Sequence, residues 1–394
     1  MTLVDTAPST PGSAAPIQTR SERPTSFDPA DFGTPTGREV NWKLSDTARL
    51  APLFADEETS GALEYDLSAL EAAGVLVSGD DAARGEIFRP EDLPSAIAWK
   101  RSETGLHVRI PAGEVLSEPL VARLRGLGAE LHGNDHIVIE ALPDSVATVV
   151  LDHSGTAALA QNVEIIVRDR AELTVITVQQ WEDDAVHAAA HQAVVGERAN
   201  LKHIVVSFGG GVVRVNPSVR LAGQGSETAL YGLAFSDAGQ HLESQVYLFH
   251  EGQDTKGDVL YKGALQGQGA RTVWIGDVLI GPDATGTDSY EKNQNLVLTD
   301  GTRADSIPNL EIETGDIAGA GHASATGRFD DEQLFYLQAR GITEEAARRL
   351  VVAGFLMEIV QRIGIPELEE RLAADIEAEL ARGAGLVPAS KAGA

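Results

Sequence analysis

The sequence predicts a mainly β protein, a body of stacked short strands flanked by α-helical N- and C-terminal regions. Three observations carry that prediction. Short apolar or alternating runs recur at fairly even spacing between residues 105 and 318, with no helical window long enough to serve as a βαβ crossover. Aromatic residues make up only 5% of the chain while Gly reaches 40 residues, which suits a stacked architecture with many tight turns. Beyond Asp330 the apolar spacing changes from the strand period to the helical one.

Residues 1–35 read as a disordered tail, punctuated by Pro8, Pro11, Pro16, Pro24 and Pro29 and weakly hydrophobic throughout. Residues 36–104 read as a small α-rich domain. It opens near Gly37-Arg38-Glu39-Val40-Asn41-Trp42-Lys43, and Ser45 or Asp46 is placed to cap a short helix through Leu50–Phe54. Further short helices are expected at Ala69–Ala73 and Pro90–Trp99.

The β body, residues 105–318, contains runs at Leu106–Ile110, His136–Ile139, Ala147–Leu151, Val163–Val167, Leu173–Val178, Leu201–Phe208 and Val212–Leu221. The series continues at Leu230–Phe235, Val246–Phe249, Val273–Ile280 and Leu296–Leu298, with Gly-rich or charged turns between. Continuous apolar stretches such as Ile165-Ile166-Val167 suit strands covered on both faces and favour a β-helix; a sandwich stays open. Gly301–Ile312 reads as a turn-rich segment closing this body.

Residues 319–394 read as a C-terminal helical domain, entered through the Gly/Ala run that carries His322. Asp330 or Asp331 caps a first helix that Gly341 ends. Thr343 caps a second helix, apolar almost all round and so expected to be buried on two sides, within its domain or under a partner. Phe335 on the first helix and Leu350, Phe355, Leu356 and Ile359 on the second are the candidate partner-docking residues. Leu368, Leu372, Ile376 and Leu380 form one row on the last helix.

Composition narrows the function. The net charge of -28 argues against nucleic acid or an anionic membrane as partner. The chain has no cysteine, which excludes disulfides, thiolate nucleophiles and Cys-ligated zinc or self-contained clusters. No phosphate-binding loop and no Gly-x-Ser-x-Gly elbow occur. With no secretion pattern and no apolar run of membrane length, a cytoplasmic protein is expected.

His187 and His191, four apart, would share one face of a strand or helix and are candidates for a metal, with surface histidines as the better account. Glu182-Asp183-Asp184 reads as a solvated turn. His322, flanked by Gly and Ala, is the sharpest single candidate: its imidazole suits metal ligation, against the alternative of an ordinary hydrogen-bonded histidine.

Several stretches carry a resemblance: Glu39–Lys43, Asn162–Val167, Tyr261–Leu265, Ala304–Ile312, His322 and Asp331–Ile342. Together they resemble the SufD side of the SufB/SufD superfamily, iron–sulfur cluster assembly proteins, over about Arg38 to Leu380. The resemblance implies a right-handed parallel β-helix and a non-catalytic scaffold. It implies pairing with a SufB-like subunit and docking of a SufC-like ATPase on the C-terminal helices; a homodimer in isolation stays open as an alternative. It implies no cofactor bound alone, a transient iron–sulfur cluster in complex with SufB, and a place for His322 near that cluster. Many relatives have a cysteine where this chain has Ala320, so sulfur ligation would fall to SufB. The alternative is a metal-binding β-solenoid enzyme using His187 and His191.

Overall fold

The computed structural model describes residues 20, 23–77, 83–102, 105–328 and 331–383. The N-terminal region runs through β1 (Leu63–Asp66), α1 (Ser68–Ala73), β2 (Leu76–Val77) and α2 (Leu93–Arg101). Asp92 caps α2 by accepting from the Ser95 N–H at 3.0 Å, and Pro94 stands in the first turn, where its missing N–H costs nothing.

The body is a parallel β-solenoid of about eight turns. β3 (Leu106–Ile110) starts it, and β4 (Leu120–Ala141) and β5 (Val146–Val167) each bend round a corner to serve both faces. Strands then alternate between faces: β6 (Glu172–Trp181), β7 (Val186–Val195), β8 (Asn200–Ser207), β9 (Val212–Leu221), β10 (Glu227–Ser236) and β11 (His241–His250). β12 (Lys256–Leu265), β13 (Arg271–Ile280), β14 (Thr287–Val297), β15 (Arg303–Ile312) and β16 (Ile317–Arg328) complete it. Even-numbered strands from β6 stack on one face and odd-numbered ones from β7 on the other, all in parallel register.

One corner shows how the coils lock. Asp144, Arg170, Arg198, Gly225, Asp254 and Gly286 all take a positive φ. That turn points each N–H at the next coil, where it donates to the carbonyl of Asp169, Glu197, Gln224, Gln253, Thr285 or Asp316 in turn. The left-handed turn costs the non-glycine residues some strain, which the coil-to-coil bond offsets.

Alternate residues point inward and build the main core, including Val108, Ile139, Val149, Ile165, Val175, Leu201, Val219, Val246 and Ile280. Leu70 and Val75 join this core and close the first coil. The outward residues of the even face are also buried, because α4 (Glu344–Val360) and α5 (Pro366–Gly383) cover them. Val352, Leu356, Ile359, Leu372 and Ile376 pack on Ile176, Val178, Ile204, Phe235 and Leu260. With both faces covered, these strands read as continuous apolar runs.

Several expectations need correction. The segment read as turn-rich is strand β15, and the Gly/Ala run read as the start of a helical domain is strand β16, paired with β14 through Arg328. Alternation is invisible there because the inward residues are small or polar. In the tail read as disordered, Pro29 is buried and the Phe27 ring lies 4.7 Å from Trp99; residues 1–19 lie outside the described residues. The N-terminal region is not only helical, since β1 and β2 pair antiparallel with β4 and β3. The helix expected at Leu50–Phe54 is a short 3-10 turn, Ala51–Phe54.

Candidate functional site

The two ends of the solenoid differ. β15 and β16 are the last strands of their faces, and each is hydrogen-bonded along one edge only. Their inward residues Ala304, Ser306, Pro308, Ala320, His322 and Ser324 are half-buried or exposed, so the last coil is an open mouth. The Ser306 and Ser324 hydroxyls meet across it at 2.8 Å, joining the two faces. Beyond Arg328 the chain passes to α3 (Asp331–Gln338), α4 and α5.

His322 stands in the mouth, on β16, with 45% of its side chain exposed. In-register pairing places it directly over Glu291 of β14, its Nδ1 3.8 Å from Oε1. Glu291 is 1% exposed, and neither carboxyl oxygen has a hydrogen-bond partner. Burial, helped by the nearby Asp277 carboxylate, pushes its pKa up to about 8. Gly276, opposite on β13, makes room for it: a Cβ there would lie 2.4 Å from Oε2. Trp274 lies alongside with its indole N–H buried and unpartnered.

His187 and His191 are not surface histidines. Both point into the solenoid from β7 and are 0% and 1% exposed. Residues four apart on a strand share a face, and here that face is the inner one. His187 Nδ1 lies 2.9 Å from Gln179 Oε1, and His191 Nδ1 lies 2.9 Å from His203 Nε2. Burial drives both pKa values well below the usual range, with neighbouring histidines adding to it. No group of three or more His, Asp or Glu able to hold a metal ion occurs among the described residues. Glu182, Asp183 and Asp184 are exposed in a turn, as the sequence predicts.

The docking candidates divide. Phe335 and Leu350 are 72% and 57% exposed. Phe355 is half-buried, with the Lys262 ammonium 4.3 Å from its ring centre. Leu356 and Ile359 are fully buried against the chain's own solenoid, so neither can meet a partner while α4 stays in place. Within this chain α4 is buried on one side, with Leu350 on the uncovered face.

Comparison with known proteins settles the family. Residues 125–355 match the family model described as SUF system FeS cluster assembly, SufBD core domain. The chain belongs to the SufBD family. An iron-sulfur cluster assembly SufBD family protein of Mycobacterium leprae is 46% identical over 366 residues, covering 90% of this chain and 93% of that protein. Its counterpart in Mycobacterium tuberculosis H37Rv is 47% identical over 366 residues, with 90% and 91% covered. A second SufBD family protein of M. leprae is 29% identical over 201 residues, 51% of this chain but only 23% of that protein. No helix among the described residues of this SufBD protein is long and apolar enough to cross a membrane.

Sequence reading missed Glu291. Its strand, Thr287–Val297, turns Ser289, Glu291, Asn293 and Asn295 inward, so it has no apolar periodicity to mark it. The only available signal was position: Glu291 lies one coil, 31 residues, before His322.

Proposed function

We propose that this SufBD protein is a SufD-like scaffold subunit that does no chemistry alone. It pairs with a SufB-like subunit through the open end of its solenoid and holds a SufC-like ATPase on its C-terminal helices. A nascent iron–sulfur cluster forms at the seam, close to His322, in a cytoplasmic complex. The observation that carries this reading is the uncapped last coil. β15 and β16 offer unpaired strand edges, which native proteins normally cover, and His322 stands between them. The presence in M. leprae of two SufBD family proteins similar to this chain, one of them far longer, fits an assembly of unlike subunits.

Position also supports a mechanical role. The helices follow directly from β16 and lie along the even face, where Lys262 of β12 donates to the Phe355 carbonyl at 2.9 Å and Arg371 of α5 holds Asp152 of β5 at 2.7 and 2.9 Å. A pull on the tail would therefore pass into the strands that lead to the mouth. Co-expression with SufB- and SufC-like subunits tests the reading. One complex with stimulated ATP turnover is expected, and a chain that co-purifies with neither subunit overturns it.

A further inference from the structure

Glu291 stands apart from the other buried glutamates. Glu140 accepts from Arg109 and Arg168 at 2.8 and 3.0 Å. Glu164 accepts from the N–H groups of Gly85, Ile87 and Phe88 at 2.7, 2.7 and 3.1 Å. Glu243 accepts from Ser45, Arg214 and Gln245 at 2.8, 3.1 and 2.7 Å. Each is saturated with donors, as a structural acid must be when water is excluded. Among the described residues, Glu291 is the one carboxylate with both oxygens buried and without a donor. Its pocket is nonetheless shaped around it by Gly276.

We propose that Glu291 and His322 together form a nitrogen–oxygen half-site for a divalent transition-metal ion, with Glu291 the second ligand this chain supplies at the mouth. Two donor atoms each about 2.1 Å from one ion lie about 3.0 Å apart at a right angle and about 4.2 Å apart when opposed. The 3.8 Å between His322 Nδ1 and Glu291 Oε1 falls inside that span, so an ion fits between them without rebuilding the coil. Imidazole with carboxylate suits ferrous iron, for which cobalt(II) is a spectroscopic stand-in. The remaining positions belong to water in the isolated chain, and to the partner subunit or sulfide in the assembly. The inference rests on the reading of His322 as the residue at the seam.

Anaerobic titration of the full chain with cobalt(II), followed by visible absorption and calorimetry, tests it. One ion per chain is expected, with binding weakened at least tenfold in Glu291→Gln and in His322→Ala. His132→Ala, which removes a half-buried histidine 3.9 Å from Glu57, should change nothing. Glu291→Gln should melt no lower than the unaltered chain, because the amide removes a buried carboxylate without donors. Absence of cobalt binding, full binding by Glu291→Gln, loss of binding in His132→Ala, or a markedly lower melting temperature for Glu291→Gln would each overturn the assignment. Co-purification with the SufB- and SufC-like subunits is a separate arm. Its failure with cobalt binding intact strikes the scaffold reading and leaves the ion site standing.

Discussion

Arg214 of β9 donates to the Asp92 carboxylate at 2.9 Å, tying the N-cap of α2 to the outer face of the solenoid. The same guanidinium donates to Glu243 at 3.1 Å and to the Asn41 carbonyl at 3.2 Å, and it lies 4.0 Å from the Trp42 ring centre. Its side chain is 3% exposed. Arg214→Ala should therefore destabilise the protein by about 3–5 kcal/mol, chiefly by stranding buried carboxylates. Urea unfolding measures this; a loss under about 1 kcal/mol would show that the N-terminal region is held by other means.

The two sides of α4 should respond differently to charge. Leu356→Asp places an unpaired carboxylate against Ile204 and Leu260 and should detach or unfold the helical tail. Leu350→Asp, on the exposed side, should change stability by less than about 0.5 kcal/mol yet weaken capture of a SufC-like ATPase. Circular dichroism with a pull-down reads both effects. Equal binding by Leu350→Asp would move the docking face elsewhere.

His322→Ala should leave folding and ATPase-subunit binding intact, because the ring is half exposed and makes no close hydrogen bond. Cluster yield in the assembled complex should fall several-fold, about 1 kcal/mol or more of lost stabilisation. Reconstitution followed by visible absorption decides it; an unchanged yield returns His322 to an ordinary structural residue.

Stability should fall as the solution is acidified from neutrality. Burial lowers the pKa of His153, His203 and His250 to about 4, and holds that of His187 and His191 well below its usual range. Below the unfolded value near 6.5 the unfolded chain binds protons that the folded chain refuses. Each such histidine then removes about 1.4 kcal/mol per pH unit, down to its folded pKa. Glu291 and Asp135, whose pKa values are raised by burial, work the other way, but they are outnumbered. The urea midpoint should drop between pH 7 and pH 5. A flat profile would mean that the interior histidines take up protons as readily in the folded chain as in the unfolded one.

The strands most legible in the sequence were those buried on both sides. Val212–Leu221 was readable end to end because its inward residues Val213, Val215, Val219 and Leu221 are aliphatic and alternate with outward ones. β14, β15 and β16 approach the open mouth, where inward positions carry Glu291, Ser306, His322 and Ser324 instead of aliphatic residues. The rule that reveals a strand is the rule that a polar mouth breaks. His322 was singled out by the Gly/Ala run around it, and the family resemblance added an expected place near a cluster. Glu291 belongs to no local pattern, and only stacking brings it under the imidazole.

By itself the sequence determined a strand-period body ending in helices, an excess of negative charge, and a chain with no thiolate to offer a cluster. These follow from composition and from side-chain spacing along the backbone. The tertiary structure alone decided which alternate residues face inward, and so that His187 and His191 are interior, that Leu356 is spent on the chain's own core, and that Glu291 lies beneath His322. The physical reason is that a solenoid makes its contacts between residues a full coil apart, a distance set by turn lengths that vary from coil to coil and leave no periodic trace in the chain.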